Sequence, residues 1–190
     1  HAGCKGPSGF CFVNNVMCAA LRAVDAGERV AIVDIDVHFG DGTADLMFQH
    51  ALDNRRLAYM SIHRYDDGAF YPNDARALGG DDTKPLGRRF VAVPFNGSID
   101  DESYERLWRQ RLLPALVDYA PSLLLVSAGY DACQDDPLGG CSLTPSLYRR
   151  LFASMLDVCP RLLAVLEGGY NLQSTSDAAL HSIAAMIGHA

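Results

Sequence analysis

Five short, mostly apolar runs alternate along the chain with stretches of helical periodicity. The runs predict β-strands at residues 30–36, 57–62, 90–95, 123–127 and 162–166. The first, fourth and fifth are nearly continuous Val, Ile and Leu, which is typical of strands buried on both faces of a parallel sheet. Helices are predicted at residues 10–26, 43–52, 101–119, 145–158 and 176–187. This alternation predicts an α/β fold in which helices flank a parallel β-sheet.

Local signals refine this prediction. A Thr-Pro pair at residues 144–145 indicates an N-cap with proline at the first helical position. Pro114 lies inside the third predicted helix and is expected to kink it, because proline lacks a backbone N–H. Residues 63–89 form a long predicted loop without a period, and the aromatic residues between positions 65 and 71 favour a functional role for it.

Neither repeats nor linkers interrupt the sequence, so we expect one domain over residues 1–190. The chain begins with His1 rather than Met and shows no signal peptide. We therefore expect the N-terminal part of this domain to be missing.

Composition narrows the class of protein. Hydrophobic residues make up 49% and charged residues 21%, which is typical of a globular domain. The net charge of −7 disfavours direct binding of nucleic acid. The longest apolar stretches, such as residues 123–126, are too short for a transmembrane span. The 6 cysteines form no CxxC pair, which indicates reduced, mostly buried thiols in a cytosolic or nuclear protein.

Polar residues follow the predicted strands, where ligands bind in open α/β sheets. The first strand runs into Asp34, Asp36 and His38, the fourth into Asp131, and the fifth into a Glu-Gly-Gly-Tyr segment. A period of two puts Asp34, Asp36 and His38 on one face of an extended strand. Completed by Asp131, these residues suit a catalytic metal site with a position open for water. The alternative is that Asp34 caps the next helix while His38 lies in a turn.

Seven motifs occur in the order in which they occur in zinc-dependent histone deacetylases. They are His1-Ala2, Gly9-Phe10-Cys11-Phe12-Val13-Asn14, Asp34-Ile35-Asp36-Val37-His38, Gly40-Asp41-Gly42-Thr43, Ser61-Ile62-His63-Arg64-Tyr65-Asp66, Asp136-Pro137-Leu138-Gly139-Gly140 and Leu166-Glu167-Gly168-Gly169-Tyr170-Asn171-Leu172. The ordered set resembles class II of that family. The last two motifs most resemble class IIb, which includes cytoplasmic tubulin deacetylases.

The resemblance implies an arginase-like parallel α/β fold and a zinc ion held by Asp36, His38 and Asp131. It also implies a structural potassium ion near the zinc, which Asp34 and Ser61 would help to bind. The implied reaction is hydrolysis of Nε-acetyl-lysine to lysine and acetate. These ligand types do not by themselves distinguish zinc from ferrous iron.

Further roles follow from the same resemblance. His1 matches the second histidine of the family's His-His pair, which acts as general base, and Asp41 could pair with it and raise its basicity. Tyr170 matches the tyrosine that polarises the acetyl carbonyl. A neutral histidine and a hydroxyl donor suit amide hydrolysis on chemical grounds as well.

The substrate would lie in an aromatic tunnel. Phe10 and Tyr71 match the two aromatics that flank acetyl-lysine in the family, and Gly9 lines the same region. Leu138 stands where the polyamine-deacetylating branch carries an acidic residue, so the resemblance favours acetyl-lysine in a peptide over acetylspermidine. An apolar slot suits a lysine stem whose charge acetylation has removed.

The sequence departs from the family in three places. The partner histidine that precedes the matched one lies outside the chain. Phe39 replaces a histidine that usually follows the metal-binding one, and Asp41 stands where class II members mostly carry Asn. We expect activity to survive the Phe39 change, because that position does not bind the metal directly.

Three alternatives stay open. They are an acetylpolyamine deacetylase, a two-metal ureohydrolase of the arginase type, and an inactive module that binds acetyl-lysine. The expected partners are acetylated proteins such as histone tails or tubulin, and corepressor or scaffold proteins, with neither direct nucleic-acid nor membrane binding. The location would be cytoplasmic, nuclear or both.

Overall fold

Parallel strands form the centre of the molecule. The structure, a computed structural model, describes residues 1–50, 55–79 and 86–188. Five strands lie in the order β3-β2-β1-β4-β5, and every neighbouring pair is parallel. Their bounds are β1 Val30–Asp34, β2 Leu57–Arg64, β3 Phe90–Phe95, β4 Leu123–Ala128 and β5 Leu162–Leu166. The predicted α/β fold with a parallel sheet is therefore confirmed.

Helices pack on both faces of the sheet. They are α1 Asn15–Asp25, α2 Asp41–His50, α3 Asp101–Leu107, α4 Leu113–Tyr119, α5 Pro145–Val158 and α6 Leu172–Gly188. Alternate residues of β1 explain the arrangement: Val30 and Ile32 pack with residues of α1 and α2, whereas Ala31 and Val33 pack with residues of α3 to α6. Because both faces are covered, β1 is buried throughout, as its continuous apolar sequence predicts.

Three predicted helix starts are wrong. The first helix begins at Asn15 rather than at residue 10, because Phe10 has a φ of 65° and the Asn14 side chain caps the helix by accepting from the Met17 N–H. The second begins at Asp41 and is described to His50, while its predicted residues 51 and 52 lie outside the described residues. The last helix begins at Leu172, earlier than predicted, where Asn171 Oδ1 accepts from the following N–H groups.

The long helix predicted over residues 101–119 is interrupted, as Pro114 indicates. A π-helical turn, Trp108–Leu112, separates α3 from α4, and its final bond runs from the Leu113 N–H to the Trp108 carbonyl. Helix α5 begins at Pro145 as predicted. The Thr144 hydroxyl, however, donates to Asp101 at 2.6 Å rather than capping that helix.

The loop predicted over residues 63–89 begins later than expected, and its residues 80–85 lie outside the described residues. Strand β2 extends to Arg64, and two short 3₁₀ turns follow at Asp66–Gly68 and Ala75–Leu78. Within the described ranges, none of the helices has the length and apolar character needed to cross a membrane.

Candidate active site

Three side chains that could hold a metal ion, Asp36, His38 and Asp131, meet beyond the carboxyl ends of β1 and β4. His38 Nδ1 lies 3.1 Å from Asp36 Oδ1 and 3.0 Å from Asp131 Oδ2. One ligand atom from each of these residues lies within 4.8 Å of the others. The Val37 N–H donates a hydrogen bond of 2.8 Å to Asp131 Oδ1, which joins two residues that are 94 positions apart in the sequence. The parallel pairing of β1 with β4 creates this convergence.

Backbone groups and a glycine fix the two carboxylates. Asp36 Oδ1 accepts from the His38 N–H at 2.8 Å, and Asp36 Oδ2 accepts from the Gly168 N–H at 3.1 Å. A Cβ at Gly168 would lie 2.7 Å from Asp36 Oδ2 and would also collide with Asp131 Oδ2. Only glycine therefore lets the chain after β5 pass against both carboxylates.

The electrostatics of the three residues favour a bound cation. Burial, together with the charge of Asp36, raises the pKa of Asp131 to about 7. Burial alone would lower the pKa of His38, but its hydrogen bonds to Asp131 and Asp36 raise it to about 10. Two buried carboxylates are costly unless a positive charge compensates them. The donor set, one imidazole and two carboxylates in a cradle formed by Gly168, fits a divalent metal such as zinc.

Asp34 does not join this group, and the expected extended run from Asp34 to His38 is wrong. Strand β1 ends at Asp34 and the chain then bends, so the period of two is lost. The Asp34 carboxylate instead accepts from the Tyr59 hydroxyl at 2.7 Å and from the Asp36 N–H at 3.2 Å. Burial and the charge of Asp36 raise the pKa of Asp34 well above its usual range. Its neighbour across the sheet is Ser61, its predicted potassium-binding partner.

His1 lies beside the three residues, paired with Asp41. His1 Nδ1 is 2.6 Å from Asp41 Oδ1, and the centre of the His1 ring is 5.9 Å from that of His38. Burial raises the pKa of Asp41 above its usual range. Gly9 packs against the His1 ring so closely that any side chain there would collide with it. Placement of the histidine thus depends on the Gly9 turn.

A cavity of about 510 Å³ opens over this group. Its described lining includes Phe10, one of the two aromatics predicted to flank the substrate, and the predicted hydroxyl donor Tyr170, and the two ring centres lie 6.1 Å apart. The Phe10 side chain is 83% exposed and Tyr170 is 41% exposed. Burial, with the charges of Asp131 and Asp36, raises the pKa of Tyr170 to about 12, so its hydroxyl stays protonated and able to donate. His1, Gly9, Asp34, Asp36 and His38 also line the cavity.

Tyr71 and Leu138 are placed less centrally than predicted. The Tyr71 ring lies 5.0 Å from His1 and 6.1 Å from His38, and its hydroxyl is 3.0 Å from Ser8 Oγ. Leu138 is exposed on the loop that follows Asp131. Neither side chain is among the described residues that line the cavity.

Phe39 packs away from the metal-binding group. Its ring is buried 4.8 Å from His63 and 6.2 Å from Tyr59. His63 is itself fully buried between Ser61 Oγ, at 2.9 Å, and the Ala77 carbonyl, at 3.0 Å. Phe39 thus belongs to the apolar layer beneath the site.

Sequence reasoning missed several residues of the site. Phe70 stacks on His38, with ring centres 5.0 Å apart and an interplanar angle of 13°. The aromatic run at residues 65–71 is the signal that points to Phe70, whereas the family resemblance points only to Tyr71. Glu167 also lines the cavity and accepts from Ser127 at 3.3 Å. Its place in the polar run after β5 was the available signal.

Known proteins match this chain over nearly its whole length. The sequence profile of the histone deacetylase domain matches residues 1–186. Histone deacetylase 15 of Arabidopsis thaliana is 39% identical over 193 residues, which cover 99% of this chain and 34% of that protein. Histone deacetylase 4 of Caenorhabditis elegans is 37% identical over 198 residues, which cover 99% of this chain and 22% of that protein.

Solved structures show the same architecture. The crystal structure of the HDA15 HD domain matches with a TM-score of 0.90 and 38% identity, over 100% of this chain and 53% of that one. The histone deacetylase Clr3 matches with a TM-score of 0.77 and 32% identity, over 84% of this chain and 27% of that one. The fold is therefore the arginase/deacetylase fold.

The profile match shows that the chain belongs to the histone deacetylase family. The chain spans about a third or less of the curated relatives described above. None of these matches distinguishes class IIb from the other branches, so that narrower assignment stays a prediction.

Proposed function

We propose that residues 1–190 form part of a single catalytic domain. This domain hydrolyses Nε-acetyl-lysine in proteins. The observation that carries the proposal is the convergence of Asp36, His38 and Asp131 beneath a cavity whose lining includes both His1 and Tyr170. A metal-binding group, a base and a hydroxyl donor are the parts that amide hydrolysis requires. Membership of the histone deacetylase family supports the same reaction.

Asp36, His38 and Asp131 would hold one zinc ion. When bound, zinc supplies Lewis acidity, which makes water and the acetyl carbonyl more reactive. The protein's own contribution is the fixed orientation of the ligands. Stacking of Phe70 on the His38 ring and the Gly168 N–H bond to Asp36 restrict both side chains before the metal arrives. A potassium ion beside Asp34 and Ser61 would add charge compensation for the buried Asp34.

His1 would act as the general base and then as the general acid. In its neutral form it takes a proton from the attacking water and returns that proton to the departing lysine Nζ. Asp41, 2.6 Å from His1 Nδ1, orients the ring and stabilises its protonated form. The opposite nitrogen, Nε2, is thereby left to exchange the proton.

Tyr170 would donate its hydroxyl proton as a hydrogen bond to the acetyl oxygen. A single donor of this kind contributes about 3–4 kcal/mol to transition-state stabilisation. The Phe10 ring, next to Tyr170, would contact the methylene stem of the substrate. Gly9, Tyr71 and Leu138 would complete the entrance around it.

The proposed substrates are acetylated proteins such as histone tails or tubulin. Leu138 offers no charge to a polycationic substrate, which favours acetyl-lysine peptides over acetylspermidine. Corepressor or scaffold proteins are proposed partners, and the proposed location is cytoplasmic, nuclear or both. The net charge of −7 argues against direct contact with nucleic acid.

Acetate release from an acetyl-lysine peptide tests the proposal. The zinc-loaded protein in its natural sequence context would be assayed with and without a chelator, alongside acetylspermidine. We expect turnover of the peptide that the chelator abolishes and that far exceeds turnover of acetylspermidine. Faster turnover of acetylspermidine would favour the polyamine alternative. A folded protein that holds one zinc and releases no acetate would favour the inactive binding module.

His1 and Asp41 provide the sharper version of this test. We expect His1→Ala to lower turnover roughly a hundredfold or more without changing zinc content, as removal of a general base does. Asp41→Asn keeps the side-chain size but removes the carboxylate that stabilises protonated His1. The acidic limb of the rate profile should then move to lower pH. Turnover by His1→Ala at the parent rate would show that the base lies elsewhere.

A further inference from the structure

A buried carboxylate close to the site has no role in the mechanism above. Asp136 is 7% exposed and lies on the loop between β4 and α5 that also carries Asp131 and Leu138. Its Oδ1 accepts from the Leu138 N–H at 2.8 Å and from the Gly139 N–H at 3.0 Å. Its Oδ2 accepts from the Tyr170 N–H at 2.7 Å. One side chain therefore holds both the backbone at Leu138 and Gly139 and the backbone of Tyr170, whose side chain lines the cavity.

The bond to Tyr170 joins the loop after β4 to the loop after β5. Two other bonds cross between the same loops: the Tyr130 N–H donates to the Gly168 carbonyl at 2.8 Å, and Asn171 Nδ2 donates to the Asp135 carbonyl at 3.2 Å. These two bonds hold the residues on either side of Tyr170. The Asp136 bond is the one of the three that is made by Tyr170 itself.

Tyr170 requires such an anchor because of the residues that precede it. Gly168 and Gly169 come directly before it, and Gly169 has a φ of 132°, which side-chain-bearing residues rarely adopt. The Tyr170 side chain is 41% exposed, so packing restrains it only in part. A bond from an N–H to a buried carboxylate is stronger than a bond between neutral groups.

We propose that Asp136 is a positioning residue that holds the Tyr170 backbone so that the phenol hydroxyl reaches the acetyl oxygen. The same carboxylate also fixes the backbone of Leu138 and Gly139. This inference rests on the proposed function, since it gives Asp136 a purpose through the proton-donating role of Tyr170. Asp136 itself touches neither the substrate nor the metal-binding group.

A double-mutant cycle tests the coupling between the two residues. Asp136→Asn preserves size, but its amide nitrogen cannot accept from an N–H. The orientation that keeps the oxygen on the Leu138 and Gly139 N–H groups preserves two of the three bonds and loses the bond from the Tyr170 N–H. We expect kcat on the acetyl-lysine peptide to fall about ten- to hundredfold, as loss of a bond to a charged group predicts, with zinc content unchanged. In the Tyr170→Phe background the same change should lower kcat less than about threefold, since coupled residues are not additive.

Asp135→Asn is the matched control for this cycle. Asp135 is the exposed neighbour of Asp136, and Asn tolerates its φ of 65° as Asp does. The kcat of the Asp135→Asn variant should equal that of the parent protein. An equal cost of Asp136→Asn in the Tyr170 and Tyr170→Phe backgrounds would overturn the proposal, because Asp136 would then act through another group.

Hydrogen exchange of the Tyr170 amide gives a second readout that needs no activity. With ¹⁵N-tyrosine labelling, we expect this amide to be protected in the unmodified protein and to lose most of its protection in Asp136→Asn, while the amide of the buried strand residue Tyr59 stays protected. Rapid exchange at Tyr170 in the unmodified protein would overturn the proposal even if the variant failed to fold. An inactive parent would overturn the proposed function, and the exchange measurement would still decide whether Asp136 holds Tyr170.

Discussion

The floor and the entrance of the cavity are built in different ways. On the floor, Asp131 is 0% exposed and the Asp36 and His38 side chains are 11% and 13% exposed. At the entrance, Phe10 is 83% exposed and Tyr170 is 41% exposed. The floor continues directly from buried parallel strands, whereas the entrance is made of loops. Position on the floor is set by strand pairing, and position at the entrance is set by a few individual hydrogen bonds.

This difference predicts different consequences of substitution. Changes on the floor should remove the metal and all activity. Changes at the entrance should leave the metal in place and affect only turnover or substrate affinity.

Asp131→Asn should abolish metal binding. The amide oxygen can still accept from the Val37 N–H, so the fold is retained, but the charge that would hold a cation is gone. We expect the affinity for zinc to fall by roughly a hundredfold or more and turnover to fall with it. Zinc content would be measured by elemental analysis after dialysis. Asp118→Asn, an exposed carboxylate on α4, is the control, and one equivalent of zinc in Asp131→Asn would refute the ligand assignment.

Tyr170→Phe should separate metal binding from catalysis. The ring and its contact with Phe10 remain, and only the hydroxyl is lost. We expect turnover to fall about 10²- to 10³-fold, the usual loss for one oxyanion donor. Zinc content and peptide KM should stay at the parent values. Full turnover by this variant would assign stabilisation of the oxyanion to another group.

The sequence predicts the floor better than it predicts the entrance. Apolar runs locate all five strands, and the polar residues after them identify Asp36, His38 and Asp131. The same pattern wrongly places Asp34 with them, because the bend after β1 depends on the bond between Val37 and Asp131, which lie far apart in sequence. At the entrance, the φ of 65° at Phe10 makes the first helix begin later than predicted, at Asn15. Such turns follow from contacts that no local period records.

A buried histidine beneath the floor should make stability depend on pH. Burial lowers the pKa of His63 to about 4, against 6.5 for an ordinary histidine. Between pH 6.5 and pH 4, His63 is therefore protonated in the unfolded chain but neutral in the folded protein. The free energy of unfolding falls as the pH is lowered through this range. From pH 7 to pH 5 this loss should be about 2 kcal/mol, measurable by urea unfolding at both pH values.

Substitution checks the assignment of this effect to His63. His63→Gln retains a donor and an acceptor for Ala77 and Ser61 but does not titrate. The difference in unfolding free energy between pH 7 and pH 5 should therefore shrink by about 2 kcal/mol. His50→Gln, at the exposed end of α2, should leave the difference as it is in the parent. An unchanged difference in His63→Gln would place the titrating group elsewhere.

The smallest effect is expected at the outermost ring. Phe10→Ala removes the side chain proposed to contact the substrate stem but leaves Asp36, His38 and Asp131 untouched. Loss of partial apolar contact should cost about 1 kcal/mol of binding, so the peptide KM should rise about fivefold while kcat and zinc content hold. Leu180→Ala, an exposed apolar residue of α6, should change none of these values. A fall in zinc content in Phe10→Ala would mean that entrance and floor are coupled, because the Gly9 turn that packs on His1 would then depend on the neighbouring ring.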